Sequence, residues 1–103
     1  MKSTVPLKKN REYLRVYKKG RYYAGRNLVL YALRNKYGIN RLGISVSGKI
    51  GKSVKRNRIR RLIKENYRLC EELLKEGFDI VFTARKTEKM PDFYDIKREM
   101  EAH

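Results

Sequence analysis

Apolar residues recur along this chain with two different periods, and the switches between them divide it into elements. A helical period opens near Asn10, which is placed to cap a short helix, with Glu12 in its first turn and Gly20 just past its end. Tyr13 and Tyr17 stand four residues apart, so their rings project from the same side. Semi-buried packing and base stacking are both open to such a pair. Residues 21–25 read as a short connector that can be extended, after which residues 27–33 are apolar on both faces, as in an interior strand. Leu28, Leu30 and Ala32 share one side of it; Val29, Tyr31 and Leu33 share the other. Residues 35–40 read as a hairpin loop leading to a strand over 41–47, where Leu42, Ile44 and Val46 face a core. Gly43, Ser45 and Ser47 make its other face small, which suits either a ligand lying across it or close packing by another element.

The period then returns to helical. Gly51 and Ser53 supply an entry turn, and Ile59, Leu62, Ile63, Tyr67, Leu69, Cys70, Leu73 and Leu74 form one broad stripe, with Gly77 placed to end the helix in a left-handed turn. Residues 78–85 predict another strand, with Phe78, Ile80, Phe82 and Ala84 toward the core, and Pro91 precedes a last helix carrying Phe93, Ile96 and Met100 from Asp92 to the C-terminus. There is no internal repeat, low-complexity tract or linker, so the expectation is one α+β domain over residues 1–103.

Charge changes the picture of the long helix. A helix carries partial positive charge at its N-terminus and negative charge at its C-terminus. Lys55, Arg56, Arg58, Arg60 and Arg61 nevertheless crowd the first turns, while Glu71, Glu72 and Glu76 are expected in the last. A polyanion wants this arrangement, because cationic side chains and exposed helix N–H groups converge on phosphate oxygens. Arg61, Lys64 and Arg68 continue the basic surface opposite the apolar stripe. The whole chain follows suit: 103 residues hold 27 Lys and Arg against 11 Asp and Glu, a formal net charge of +16. Such a surplus attracts nucleic acid or an acidic membrane surface. No apolar run reaches the roughly 18 residues of a spanning helix, and the start lacks an apolar signal segment, so a cytoplasmic, membrane-free protein is expected. The lone Cys70 excludes an internal disulfide and reads as a buried small hydrophobe.

Catalytic chemistry has little to stand on. His103, the sole histidine, is the last residue, and no Cys/His cluster, phosphate-binding glycine motif or tight carboxylate set occurs, so neither a catalytic nor a metal site is expected. The stretch Arg56-Asn57-Arg58-Ile59-Arg60-Arg61-Leu62-Ile63-Lys64, preceded by Lys49-Ile50-Gly51 and Val54, resembles the Arg-Asn-Arg signature of the bacterial ribonuclease P protein subunit. Leu7-Lys8-Lys9 with Tyr13 and Tyr17, Leu28 to Tyr31, Gly43 to Ser47 and Asp79 to Arg85 support that resemblance in order along the chain. Phenylalanine is common in the family where Tyr13 and Tyr17 stand, and alanine where Ser53 stands.

The resemblance implies a four-stranded sheet packed with a long central helix in a left-handed βαβ crossover. It implies an RNA catalyst, assisted by this subunit and by magnesium bound mainly in the RNA, that removes the 5′ leader of precursor tRNA. Under it, Arg56, Asn57, Arg58, Arg60, Arg61, Lys64 and Arg68 would face the catalytic RNA, and Tyr13, Tyr17, Tyr31, Lys8, Lys9 and Ser45 would hold the leader. On the residues alone, a ribosomal or other architectural nucleic-acid-binding protein fits the basic helix equally well. A protein nuclease acting alone is the third reading.

Overall fold

The structure, a computed structural model, describes residues 4–101, so His103 and the Met1-Lys2-Ser3 start fall outside the described residues. In chain order the elements are β1 (Thr4–Pro6), α1 (Asn10–Lys19), β2 (Arg21–Ala24), β3 (Leu28–Arg34), β4 (Asn40–Ser45), α2 (Ser53–Cys70), β5 (Phe78–Ala84) and α3 (Phe93–Glu101). The strands form a five-stranded sheet in the order β1-β4-β5-β3-β2. The expected four strands gain a fifth because Thr4–Pro6 pairs in parallel with β4 at the edge. Residues 21–24, read as a connector, form the opposite edge, antiparallel to β3.

The most buried strand takes the centre. Ile80, Val81 and Phe82 of β5 are all buried, which requires cover on both faces, so β5 inserts between β3 and β4. Residues 35–39 are therefore not a hairpin loop: β3 runs antiparallel to β5, β4 runs parallel to it, and α2 makes the crossover between β4 and β5. On one face, Leu28, Leu42, Val46, Ile80, Phe82 and Ala84 pack against Ile59, Ile63 and Tyr67 of α2 and Ile96 of α3. On the other, Val81 packs with Leu7 and Val16 beneath α1. Full burial of each such aliphatic side chain contributes about 1.5–3 kcal/mol.

α2 is shorter than its apolar stripe. It ends at Cys70, followed by a 3₁₀ turn over Glu71–Leu73 and an extended Leu74. Leu69 and Leu73 are 68% and 86% exposed, so no core surface rewards continuing the helix, and Glu71 and Glu72 oppose the dipole there. Glu71 instead accepts a 2.6 Å hydrogen bond from the Thr4 hydroxyl, which accepts one of 2.8 Å from Tyr67 Oη; this ties β1 to α2. Gly77 has φ +90°, but it turns the chain into β5 rather than ending the helix. Cys70 is half-buried rather than buried, and burial pushes its thiol pKa up. At the start of α1 the cap position is Lys9, not Asn10; its exposed N–H groups are closed by Glu12, which accepts from Lys8 N at 3.2 Å and Lys9 N at 3.0 Å. Asp92 and Asp95 exchange side-chain-to-backbone bonds in the same way at the entry to α3.

Candidate nucleic-acid interface

α2 begins without a side-chain cap and without an acid in its first turn, leaving its N-terminal N–H groups for another acceptor. Helical geometry sets Asn57, Arg61, Lys64 and Arg68 on one line, and all are exposed on the side away from buried Ile59, Ile63, Asn66 and Tyr67. Arg58 is also exposed, while Arg56 and Arg60 are half-buried along a flank. None of these arginines or Lys64 forms an ion pair with a described residue; the described pairs involve Arg41 and Arg98. Arg60 makes a long 3.5 Å contact to Asn57, and Arg56 Nε is a buried donor without a protein partner. These are cations whose charge the fold leaves uncompensated, as phosphate binding requires.

A second surface lies where α1 crosses the other side of the sheet. Tyr13 rests on Gly43, so closely that a Cβ there would come 2.6 Å from the ring. Of the two readings of the small face of β4, close packing therefore holds at Gly43. Tyr17 meets Tyr31 edge-to-face with centroids 4.8 Å apart, and its hydroxyl lies 3.2 Å from Thr83 Oγ1. Tyr31 in turn lies 6.0 Å from Tyr22, its cross-strand partner in β2. One register further along, Ala24, Val29, Thr83 and Ser45 line up across β2, β3, β5 and β4. Only Ala24 of these is exposed; the other side chains are half-buried, making a low floor beside the tyrosines. At neighbour spacings of about 4.8 Å, that floor runs about 14 Å across the sheet.

Burial pushes the Tyr13 phenol pKa up, while a hydrogen bond with the Ile44 backbone and the charge of Arg60 pull it back. Lys8 and Lys9 are exposed at the head of α1. The structure thus brings Tyr13, Tyr17, Tyr31 and Ser45 together, and sets the residues from Arg56 to Arg68 along α2. Sequence reasoning missed Tyr22, Val29 and Thr83. Strand alternation already put Thr83 on the side opposite Phe82 and Ala84; what was lacking was the pairing that sets it beside Ser45.

Comparison with known proteins gives matches in sequence and in fold. The ribonuclease P family model matches residues 1–103. The chain is similar to the ribonuclease P protein component of Clostridium botulinum (strain Langeland), 52% identical over 92 residues that cover 88% of this chain and 83% of that one. The solved RNase P protein of Staphylococcus aureus superposes with a TM-score of 0.85 at 39% identity, over 94% of this chain and 89% of that one. The RNase P protein of Thermotoga maritima gives 0.83 at 29% identity, over 94% and 92%.

Proposed function

The chain belongs to the ribonuclease P protein family, the protein component of the endonuclease that matures tRNA 5′ ends, and from that premise we propose how its two surfaces share the task. The exposed line of α2 and its flank, with Arg56, Asn57, Arg58, Arg60, Arg61, Lys64 and Arg68, bind the phosphates of the catalytic RNA. The cleft of Tyr13, Tyr17, Tyr31 and Ser45, with Lys8 and Lys9 at its head, takes the single-stranded 5′ leader of precursor tRNA, its bases against the rings and its phosphates against the lysines. Thr83 and Val29 form its floor. The observation that carries this division is the pair of surfaces itself: an exposed line of cations on α2 that no described carboxylate pairs, and a tyrosine-lined cleft where α1 crosses the other side of the sheet.

The protein's part is positioning and charge neutralisation. Magnesium belongs to the RNA in this scheme; among the described residues no three His, Cys, Asp or Glu side chains gather to hold an ion, and no step is assigned to a protein-bound one. The working compartment is the cytoplasm, where precursor tRNA is found in bacteria; no helix among the described residues is long and apolar enough to cross a membrane.

The test is assembly with the catalytic RNA. Arg58→Ala should weaken that assembly equally for precursors with and without a leader, and RNA-free protein should cleave no precursor at any magnesium concentration. Specific metal-dependent cleavage by RNA-free protein would overturn the reading, as would an Arg58→Ala variant that assembles normally but loses leader discrimination.

A further inference from the structure

One buried ionic cluster lies outside both surfaces. Arg41 of β4 donates from Nε to Asp79 Oδ1 and from Nη2 to Asp79 Oδ2, both at 2.7 Å, and from Nη1 to Glu12 Oε2 at 2.5 Å. Its guanidinium lies 4.5 Å from the Tyr37 ring centroid, and Asn35 Nδ2 donates to the same Asp79 at 2.9 Å. The Asp79 side chain is 2% exposed and that of Arg41 15%. Glu12 is the unusual member. While Oε2 accepts a hydrogen bond from Arg41 Nη1, Oε1 accepts from the Lys8 and Lys9 N–H groups, so one carboxylate joins the first turn of α1 to the sheet.

The next residue on α1 is Tyr13, and the next residue on the same face of β4 is Gly43, where that ring rests. The first turn of α1 is thus pinned at two adjacent points, one by a directional charged bond and one by a contact that a Cβ at Gly43 would displace. Beyond that turn, α1 is held on this face by Val16 against Val81 and, one turn on, by the Tyr17–Thr83 hydroxyl bond; the apolar contact does not by itself fix a register. The bidentate pair with Asp79 fixes the Arg41 guanidinium on the sheet, and its single Nη1 bond then fixes where Glu12 of α1 sits. Energy alone is a poor reason for the cluster, since a buried ion pair replaced by packed apolar groups is often no less stable.

We infer that Arg41 is a positioning residue for the leader cleft: through Glu12 it sets the height and register of α1 over the sheet, and so the ring face that Tyr13 offers to a base. This rests on the cleft reading above. Arg41 does not touch the leader; it acts through the helix.

The test uses the assembled ribonucleoprotein and reads the ratio of affinities for leader-bearing and leaderless precursor, beside affinity for the catalytic RNA and urea unfolding of the protein. Arg41→Lys keeps the charge but cannot make the three directional bonds. Glu12→Gln keeps an acceptor for Lys8 and Lys9 but loses the ionic one; it serves if Arg41→Lys fails to fold. Either should lower the ratio by about three- to tenfold, part of the roughly 5- to 150-fold that a full base–ring stack represents. Assembly with the catalytic RNA should be unchanged. Adding Tyr13→Ala to Arg41→Lys should give no lower ratio than Tyr13→Ala alone. A variant with a lowered urea midpoint and an intact ratio would overturn the inference and leave Arg41 a purely structural residue. If Tyr13→Ala itself leaves the ratio unchanged, the cleft reading falls instead, so the two failures are distinguishable.

Discussion

Tyr17 is where packing and recognition can be separated most cleanly, because its ring and its hydroxyl do different work. The ring meets Tyr31 edge-to-face at 4.8 Å, and the hydroxyl is bonded to Thr83 at 3.2 Å. An aromatic pair of this kind is worth about 0.5–1.5 kcal/mol beyond area burial, and a neutral hydrogen bond about 0.5–1.5 kcal/mol net. Tyr17→Ala should therefore cost about 1–3 kcal/mol of stability, and somewhat more with the lost area, leaving a domain of about 5–15 kcal/mol folded. It should also remove a stacking face worth about 1–3 kcal/mol per base, a roughly 5- to 150-fold loss of affinity for leader-bearing precursor with little change for leaderless tRNA. Tyr17→Phe keeps the ring and should lose only the hydroxyl term, with leader discrimination intact. Thr83→Val in the Tyr17→Phe background should recover part of that loss, since neither polar group is then left without its partner. The assay is equilibrium binding of both precursors to the assembled particle, with urea unfolding of each variant. If Tyr17→Ala is destabilised by several kcal/mol yet still discriminates for the leader, the ring is a packing residue and the cleft is misassigned.

Salt should act strongly on the α2 surface: neutralising about 6 to 10 phosphates lowers affinity for the catalytic RNA by about 10³- to 10⁵-fold between about 50 and 200 mM salt. Arg61→Gln and Arg68→Gln should each flatten the log–log slope by about one, and an affinity indifferent to salt would refute phosphate pairing there. Ile63 is fully buried between α2 and the sheet, so Ile63→Ala should cost about 2–5 kcal/mol in urea unfolding; a loss below about 1 kcal/mol would mean that α2 is not packed as described. Hydrogen bonding from Lys9 N–H, then from Lys8 N–H, with the charge of Arg41, outweighs burial and holds the Glu12 carboxyl below its ordinary pKa. A depressed folded-state pKa contributes stability above the unfolded value that is lost as pH falls through the folded one. Unfolding free energies followed from about pH 6 to about pH 2 should thus fall less steeply in Glu12→Gln than in the wild type, and identical slopes would contradict the assignment.

Most of what was legible in the chain was local. Strand alternation placed Leu42, Ile44 and Val46, and likewise Phe78, Ile80, Phe82 and Ala84, on the side that packs beneath α2. The helical period placed Arg61, Lys64 and Arg68 away from Ile59, Ile63 and Tyr67. Where local reading went too far, competition from the rest of the fold decided. Leu69 and Leu73 continue the apolar stripe, but the sheet does not extend beneath them.

Which face each strand and helix buries, and the uncompensated positive charge of α2, follow from periodicity within a few residues. Assembly of the whole sheet was needed to set β5 between β3 and β4, to add Thr4–Pro6 at the edge, and to stand Thr83 beside Ser45. Tertiary packing alone joined Arg41 to Glu12, 29 residues apart, and seated Tyr13 on Gly43. Strand order and such contacts are set by which assembly buries the most apolar surface while satisfying every backbone and charged group, and that condition is a property of the whole chain at once.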